Sequence, residues 1–132
     1  MPNVFAKLNL KQQREILVVD APSSFEPELA GLAGVTVFRD PARMAKVPFA
    51  LLFATRQSEV DELSTSIPDK LEGDAILWFA YPKGSSRRYR CDFNRDSGWS
   101  VLRARGFDTV RQVAIDEDWS ALRFRRVEYI GR

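Results

Sequence analysis

The residues best suited to chemistry crowd into the stretch Lys83-Gly84-Ser85-Ser86-Arg87. Two cations, two hydroxyls and the backbone N–H groups of a small-residue turn are the components of an oxyanion site. The spacing is that of neither a GxxxxGK[ST] phosphate loop nor a GxGxxG turn, so the loop reads first as a solvated turn, with a phosphate-like or carboxylate ligand as the alternative. Arg87-Arg88-Tyr89-Arg90 and then Arg95 continue the segment. Arginines interleaved with an aromatic ring can neutralise phosphates and stack on bases. Asp92 and Asp96 interrupt that charge, and a solvated loop explains the same composition. Asp116-Glu117-Asp118 gathers three carboxylates, but without glycine-spaced ligands it reads as a charged turn, and no metal site is predicted. Cys91 borders the arginines, which can lower a thiol pKa, yet no base or second cysteine accompanies it.

What the chain lacks narrows the chemistry further. Its 132 residues contain no histidine, and Cys91 is the one cysteine. That removes Ser-His-Asp and Cys-His nucleophiles, histidine zinc sites, an imidazole proton shuttle, an internal disulfide and a CxxC motif. No catalytic residue is predicted. The net charge of +2 conceals a split: residues 1–82 hold 8 Lys/Arg against 11 Asp/Glu, and residues 83–132 hold 12 against 7. Arginine outnumbers lysine 15 to 5, which reads first as a coding preference, with bidentate anion contacts as the alternative. Met1-Pro2-Asn3 has no basic leader, and no apolar run approaches the roughly 18 residues of a membrane span. No membrane association is expected. A cytoplasmic location fits the single cysteine and the absent leader.

The elements that must position these residues alternate along the chain. Val4 to Leu10 reads as a short opening helix. Glu15 to Asp20, Val35 to Arg39, Pro48 to Ala54 and Ala75 to Ala80 are compact apolar runs with the length of strands. The third and fourth are apolar without alternation, as in parallel sheets covered on both faces. Ser24 is expected to cap a helix from Phe25 to Leu32 that Gly34 closes, and Asp40-Pro41 to open a single turn. A helix starting at Thr55 or Ser58 runs to about Thr65, with Val60 and Leu63 inward. Asn94 is expected to cap a helix to Arg105 carrying Trp99 and Leu102 into the core. Thr109 to Ile115 and Ala121 to Val127 are joined too closely for a crossover helix, so they pair antiparallel. One α/β domain over residues 1–132, with a mixed sheet, follows.

That order of elements resembles a reduced class I S-adenosylmethionine-dependent methyltransferase fold. The segment from Ile76 to Phe124 is similar to a family of short bacterial proteins of unknown function, through Trp78-Phe79-Ala80-Tyr81-Pro82-Lys83-Gly84-Ser85-Ser86 and Val113-Ala114-Ile115-Asp116-Glu117-Asp118-Trp119-Ser120. The resemblance implies a Rossmann-like three-layer sandwich, mostly parallel and ending in an antiparallel strand pair. It also implies a glycine-rich turn after the first strand and an acid at the end of the second. Asp20 matches the acidic end of the first strand, but Pro22 and Ser24 stand where glycines belong, and proline fixes φ where the turn needs freedom. Phe38 falls at the ribose-binding acid, leaving Asp40 as a cap. No cofactor is therefore expected, S-adenosylmethionine included.

In such sheets ligands bind outside the carboxyl ends of the parallel strands. That edge is expected to bring Lys83, Ser85, Ser86 and Arg87 opposite Asp20 and Ser24, with Arg56 alongside. Arg87, Arg88, Arg90 and Arg95 form the alternative anion or nucleic-acid surface, which Arg123, Arg125 and Arg126 would extend. Trp119 is either an anchor for the hairpin or an exposed partner-binding ring. The function expected is a non-catalytic binding or interaction module for a protein partner or a small anionic ligand. The alternatives are a degenerate methyltransferase-like enzyme and nucleic-acid binding through residues 83–95. A cleft closed by Pro22, Phe25 and Phe38 would favour the interaction module. One lined by Ser24, Arg56 and Lys83 would favour a ligand.

Overall fold

The computed structural model describes residues 4–94 and 97–130. Its strands are β1 (Glu15–Val19), β2 (Thr36–Phe38), β3 (Phe49–Phe53), β4 (Ile76–Pro82), β5 (Phe107–Ala114) and β6 (Trp119–Arg126). They join in one sheet of order β2-β1-β3-β4-β6-β5. The first four are parallel to one another, and β6 runs antiparallel to both β4 and β5. Every residue of β3 and β4 is buried, which is why these two runs show no alternation and sit inside the sheet. The Rossmann-like, mostly parallel sheet with its antiparallel pair is as the sequence predicts.

Helices cover both faces. One face carries α1 (Val4–Lys7) and α2 (Glu26–Ala30), and the other α3 (Gln57–Ser66) and α4 (Ser100–Ala104). Successive strand residues divide between them. Ile16, Val18, Leu51 and Trp78 pack with Phe5, Leu8, Phe25 and Leu29; Leu17, Leu52 and Phe79 pack with Val60, Trp99 and Leu102. The buried Trp78 indole donates to the carbonyl of Leu8 at 2.8 Å, fastening α1 to the sheet centre. At the outer edges β2 has three residues, and β5 is bulged between Thr109 and Arg111.

Several boundaries depart from the sequence reading, each for a local reason. Ser24 does not cap a helix: it lies exposed in a 3-10 turn over Ser23–Phe25, and α2 begins only at Glu26 with proline in its first turn. Gly31, not Gly34, ends α2, while Gly34 takes φ +70° in the turn to β2. The α3 start is capped from within. The Glu59 carboxylate accepts the backbone N–H groups of Thr55 and Arg56 at 2.9 and 3.0 Å, which an arginine side chain could not do. The helix expected from Asn94 shrinks to Ser100–Ala104, because Asn94 bridges to Ser97 and Gly98 adopts φ +95°. β6 starts two residues early, since Asp116 closes the hairpin by accepting from the N–H groups of Asp118 and Trp119.

Candidate functional site

The chain runs from β1 outward to β2 and returns to the other side of β1 as β3. Strand order reverses there, so the carboxyl ends of β1 and β3 frame the usual ligand position. The crevice at that point measures about 190 Å³ and is lined by Asp20, Pro22, Thr55, Glu59, Tyr89 and Trp119, among others. Asp20 bends the chain away from β1 in the left-handed conformation, φ +57°. Four rings then run in series along the edge. Phe25 and Phe53 are 5.0 Å apart, Phe53 and Trp119 5.2 Å, and Trp119 and Tyr89 4.9 Å. Trp119 is only 3% exposed, so it anchors the hairpin. Its buried indole N–H has no hydrogen-bond acceptor among the described residues. The crevice is thus narrowed by Pro22 and this ring series. Phe38 packs on the opposite face of the sheet.

A second space opens beside it, at the carboxyl end of β4 and over the start of β6. This cleft measures about 830 Å³, and Lys83, Ser86, Arg87, Arg90, Tyr81 and Gln112 are among its walls. Among the described residues no carboxylate lines it. Among the described residues, the side chains of Lys83, Arg87 and Arg90 have no ion-pair or hydrogen-bond partner. Arg39, Arg103, Arg105 and Arg125, in contrast, are paired with Glu26, Asp108, Asp69 and Asp74. The loop bearing the free cations is nevertheless fixed. The Ser86 hydroxyl donates to Asp118 at 2.9 Å and accepts from the N–H groups of Arg88 and Tyr89, and the Lys83 N–H donates to the Asp118 carbonyl at 2.8 Å.

The predicted residues divide accordingly. Lys83, Ser86, Arg87 and Arg90 come together; Asp20 lies in the crevice instead. Ser24 and Arg56 are exposed and line neither space, because the turns carrying them direct the chain into α2 and α3. Ser85 and Arg88 line a separate depression with Glu117 and Asp118, which Arg87 also borders, so acidic neighbours offset the charge there. Arg95 lies outside the described residues. Arg125 and Arg126 cannot extend the patch: antiparallel pairing sets Trp119 against Pro82 but Phe124 against Leu77, carrying both arginines toward the opposite edge. There Arg126 donates to the carbonyls of Gly73, Pro68 and Leu71 and lies 5.0 Å from the centre of the Phe107 ring. Sequence reasoning missed Tyr81, Gln112 and Ser120. The Gln112 amide donates to the Tyr81 hydroxyl at 3.1 Å, and Ser120 is the register partner of Tyr81. Only the register shows this grouping.

Cys91 also lines the cleft, with its thiol pKa pushed up, chiefly by burial and further by the Asp92 and Glu59 carboxylates. The lowering that neighbouring arginines can cause is not what prevails here. At neutral pH the thiol therefore stays protonated more fully than in a free cysteine. Iodoacetamide alkylation of the folded chain should be slower than that of free cysteine at pH 7 and rise with pH to a higher midpoint. Rate against pH, followed by mass spectrometry, checks this; a midpoint at or below the free-thiol value contradicts it.

Solved structures share the fold. A SAM-dependent methyltransferase from Aquifex aeolicus superposes with a TM-score of 0.60 at 14% identity, over 94% of this chain and 88% of its own. The fold is methyltransferase-like. The fibrillarin pre-rRNA processing protein of Methanococcus jannaschii gives 0.55 at 14% identity, over 88% and 67% of the two chains. LepI in complex with SAM gives 0.54 at 11%, over 92% and 38%. No family model and no curated protein matches the chain. Against the cofactor site that the resemblance implies, this methyltransferase-like chain keeps the acid after β1, Asp20, and differs in the turn that follows and at the end of β2. Its first turn is wound over Ser23–Phe25 behind Pro22, and the Asp40 carboxylate is engaged by the Ala42 N–H at 3.0 Å. Its crevice is below the roughly 300–1,000 Å³ of small-molecule sites.

Proposed function

We propose that the chain is a small-molecule-binding protein on a methyltransferase-like sheet, holding an anionic ligand without transforming it. The observation that carries this reading is the contrast between the two strand-end spaces. The crevice at the β1–β3 reversal is narrowed by rings to about 190 Å³, whereas the cleft beside it offers about 830 Å³ and three cations unpaired among the described residues. Burial of Cys91 disfavours the thiolate, and the chain has no histidine to act as a base near neutral pH. Recognition rather than turnover is what these side chains support.

A second reading, a reduced S-adenosylmethionine-dependent enzyme, is favoured by the solved structures. Comparison supports it better than it supports a binding module, and the narrow crevice argues the other way. Titration calorimetry with S-adenosylmethionine and S-adenosylhomocysteine separates the two. The binding module predicts no heat up to about 1 mM of either. Saturable heat well below that concentration replaces it with the enzyme.

A further inference from the structure

Resting on the reading of the cleft as an anion site, we infer that its ligand carries a phosphate or diphosphate beside a flat ring. Charge is the first argument. Among the described residues, Lys83, Arg87 and Arg90 line a space that no carboxylate lines, and none of their side chains is paired. One carboxylate would leave most of that charge uncompensated, whereas a phosphate monoester or diphosphate brings close to two negative charges or more. Two of the three cations are guanidinium forks, whose planar donors match phosphate oxygens in bidentate fashion.

The walls supply the second argument. Tyr81, Tyr89 and Phe93 all line the cleft, with the Tyr81 and Phe93 rings 6.0 Å apart. A flat ring stacked on an aromatic face gains on the order of 1–3 kcal/mol where bases are concerned. The volume exceeds what a bare phosphate fills and lies within the range of small-molecule sites. Preorganisation adds to this, because the Ser86 and Lys83 contacts to Asp118 hold the cation-bearing loop before any ligand arrives. A small ligand fits better than a nucleic-acid strand. Asp92, Glu117 and Asp118 stand around the loop where a polyanionic backbone would continue, and the whole chain carries only +2.

The test uses the full chain and equilibrium titration with adenosine 5′-diphosphate, pyrophosphate, adenosine, citrate and a single-stranded oligonucleotide. The diphosphate nucleoside is expected to bind more tightly than pyrophosphate, and adenosine not to bind. Affinity should fall as sodium chloride is raised. Arg87→Ala and Arg90→Ala should each weaken nucleotide binding by about tenfold or more. Arg43→Ala, an exposed arginine beyond β2 at the far edge of the sheet, should leave it unchanged. Bound nucleotide should also slow Cys91 alkylation. Melting temperatures of the variants confirm that they fold. Absence of binding by both phosphate compounds overturns the inference, as does binding that the Arg87 and Arg90 substitutions leave intact. Oligonucleotide binding without nucleotide binding overturns it in favour of a nucleic-acid surface. Citrate bound in place of the phosphate compounds sinks the phosphate ligand alone and spares the anion site. Binding of S-adenosylhomocysteine, indifferent to Arg87→Ala, with none by any anion, sinks the underlying reading as well.

Discussion

Trp99→Ala should cost about 3–5 kcal/mol of stability, the range for removing a buried large aromatic side chain. The ring is 2% exposed and stands at the junction of β4, β6 and α4. Its neighbours are rings too: Phe124 at 5.0 Å, Phe93 at 5.3 Å, Phe79 at 5.5 Å and Tyr81 at 6.0 Å between centroids. The indole N–H donates to the Asn94 carbonyl at 3.0 Å, so truncation also removes a partner from that turn. Stiff neighbours cannot close over the space, which places the effect toward the upper part of the range. Domains of this kind are stable by about 5–15 kcal/mol, so a third or more of the total is at stake. In urea the midpoint should fall in proportion, and the melting temperature should drop by roughly 10–20 °C. A loss below about 1 kcal/mol would show that the surrounding rings repack.

Gly98→Ala should cost about 2–4 kcal/mol, although it adds only a methyl group. The backbone there has φ +95°, which an L side chain rarely adopts. An added Cβ would overlap the Gln57 amide oxygen and lie 2.8 Å from Phe93 Cβ. Gln57 cannot simply swing aside, since its amide donates to the Gly98 carbonyl at 2.6 Å and to Asp61 at 2.8 Å. The backbone N–H of the same residue donates to Asp92 at 2.6 Å, tying the start of α3 to the segment that carries Cys91 and Phe93. Strain at Gly98 should therefore reach the cleft, and Cys91 should alkylate faster in the variant. Urea unfolding and the alkylation rate check the two halves. Wild-type values in both would mean that the turn relaxes without penalty.

The sheet was legible in the sequence because burial writes itself into runs such as Phe49–Phe53 and Ile76–Ala80. The hairpin was equally legible, since five residues between two strands leave no room for a crossover. What the chain did not disclose is which side chains cross elements to meet. Trp119 closes a crevice formed by β1 and β3 although it lies far along the chain, and only the pairing of Pro82 with Trp119 brings it there. Lys83, Ser86, Arg87 and Arg90 were foreseeable as an anion group because they share one loop. Asp20, Ser24 and Arg56 were assigned to the same place from strand order alone, and local turn geometry separates them. Arg125 and Arg126 were misplaced for a similar reason: composition shows a basic stretch, but the antiparallel register decides to which end of the sheet it goes.

The two outer strands carry a consequence for how molecules of this chain meet one another. An unpaired strand edge is a template on which a second chain can nucleate cross-β association. Here one edge offers only the three residues of β2, too short to hold a visiting strand. The other is β5, whose ladder is broken by the bulge between Thr109 and Arg111, with the charged Arg111 exposed beside it. Bulges twist a strand out of plane, and charge raises the penalty of docking another sheet against it. A sheet with a core this apolar would otherwise be prone to self-templating. Its ends are blunted against growth.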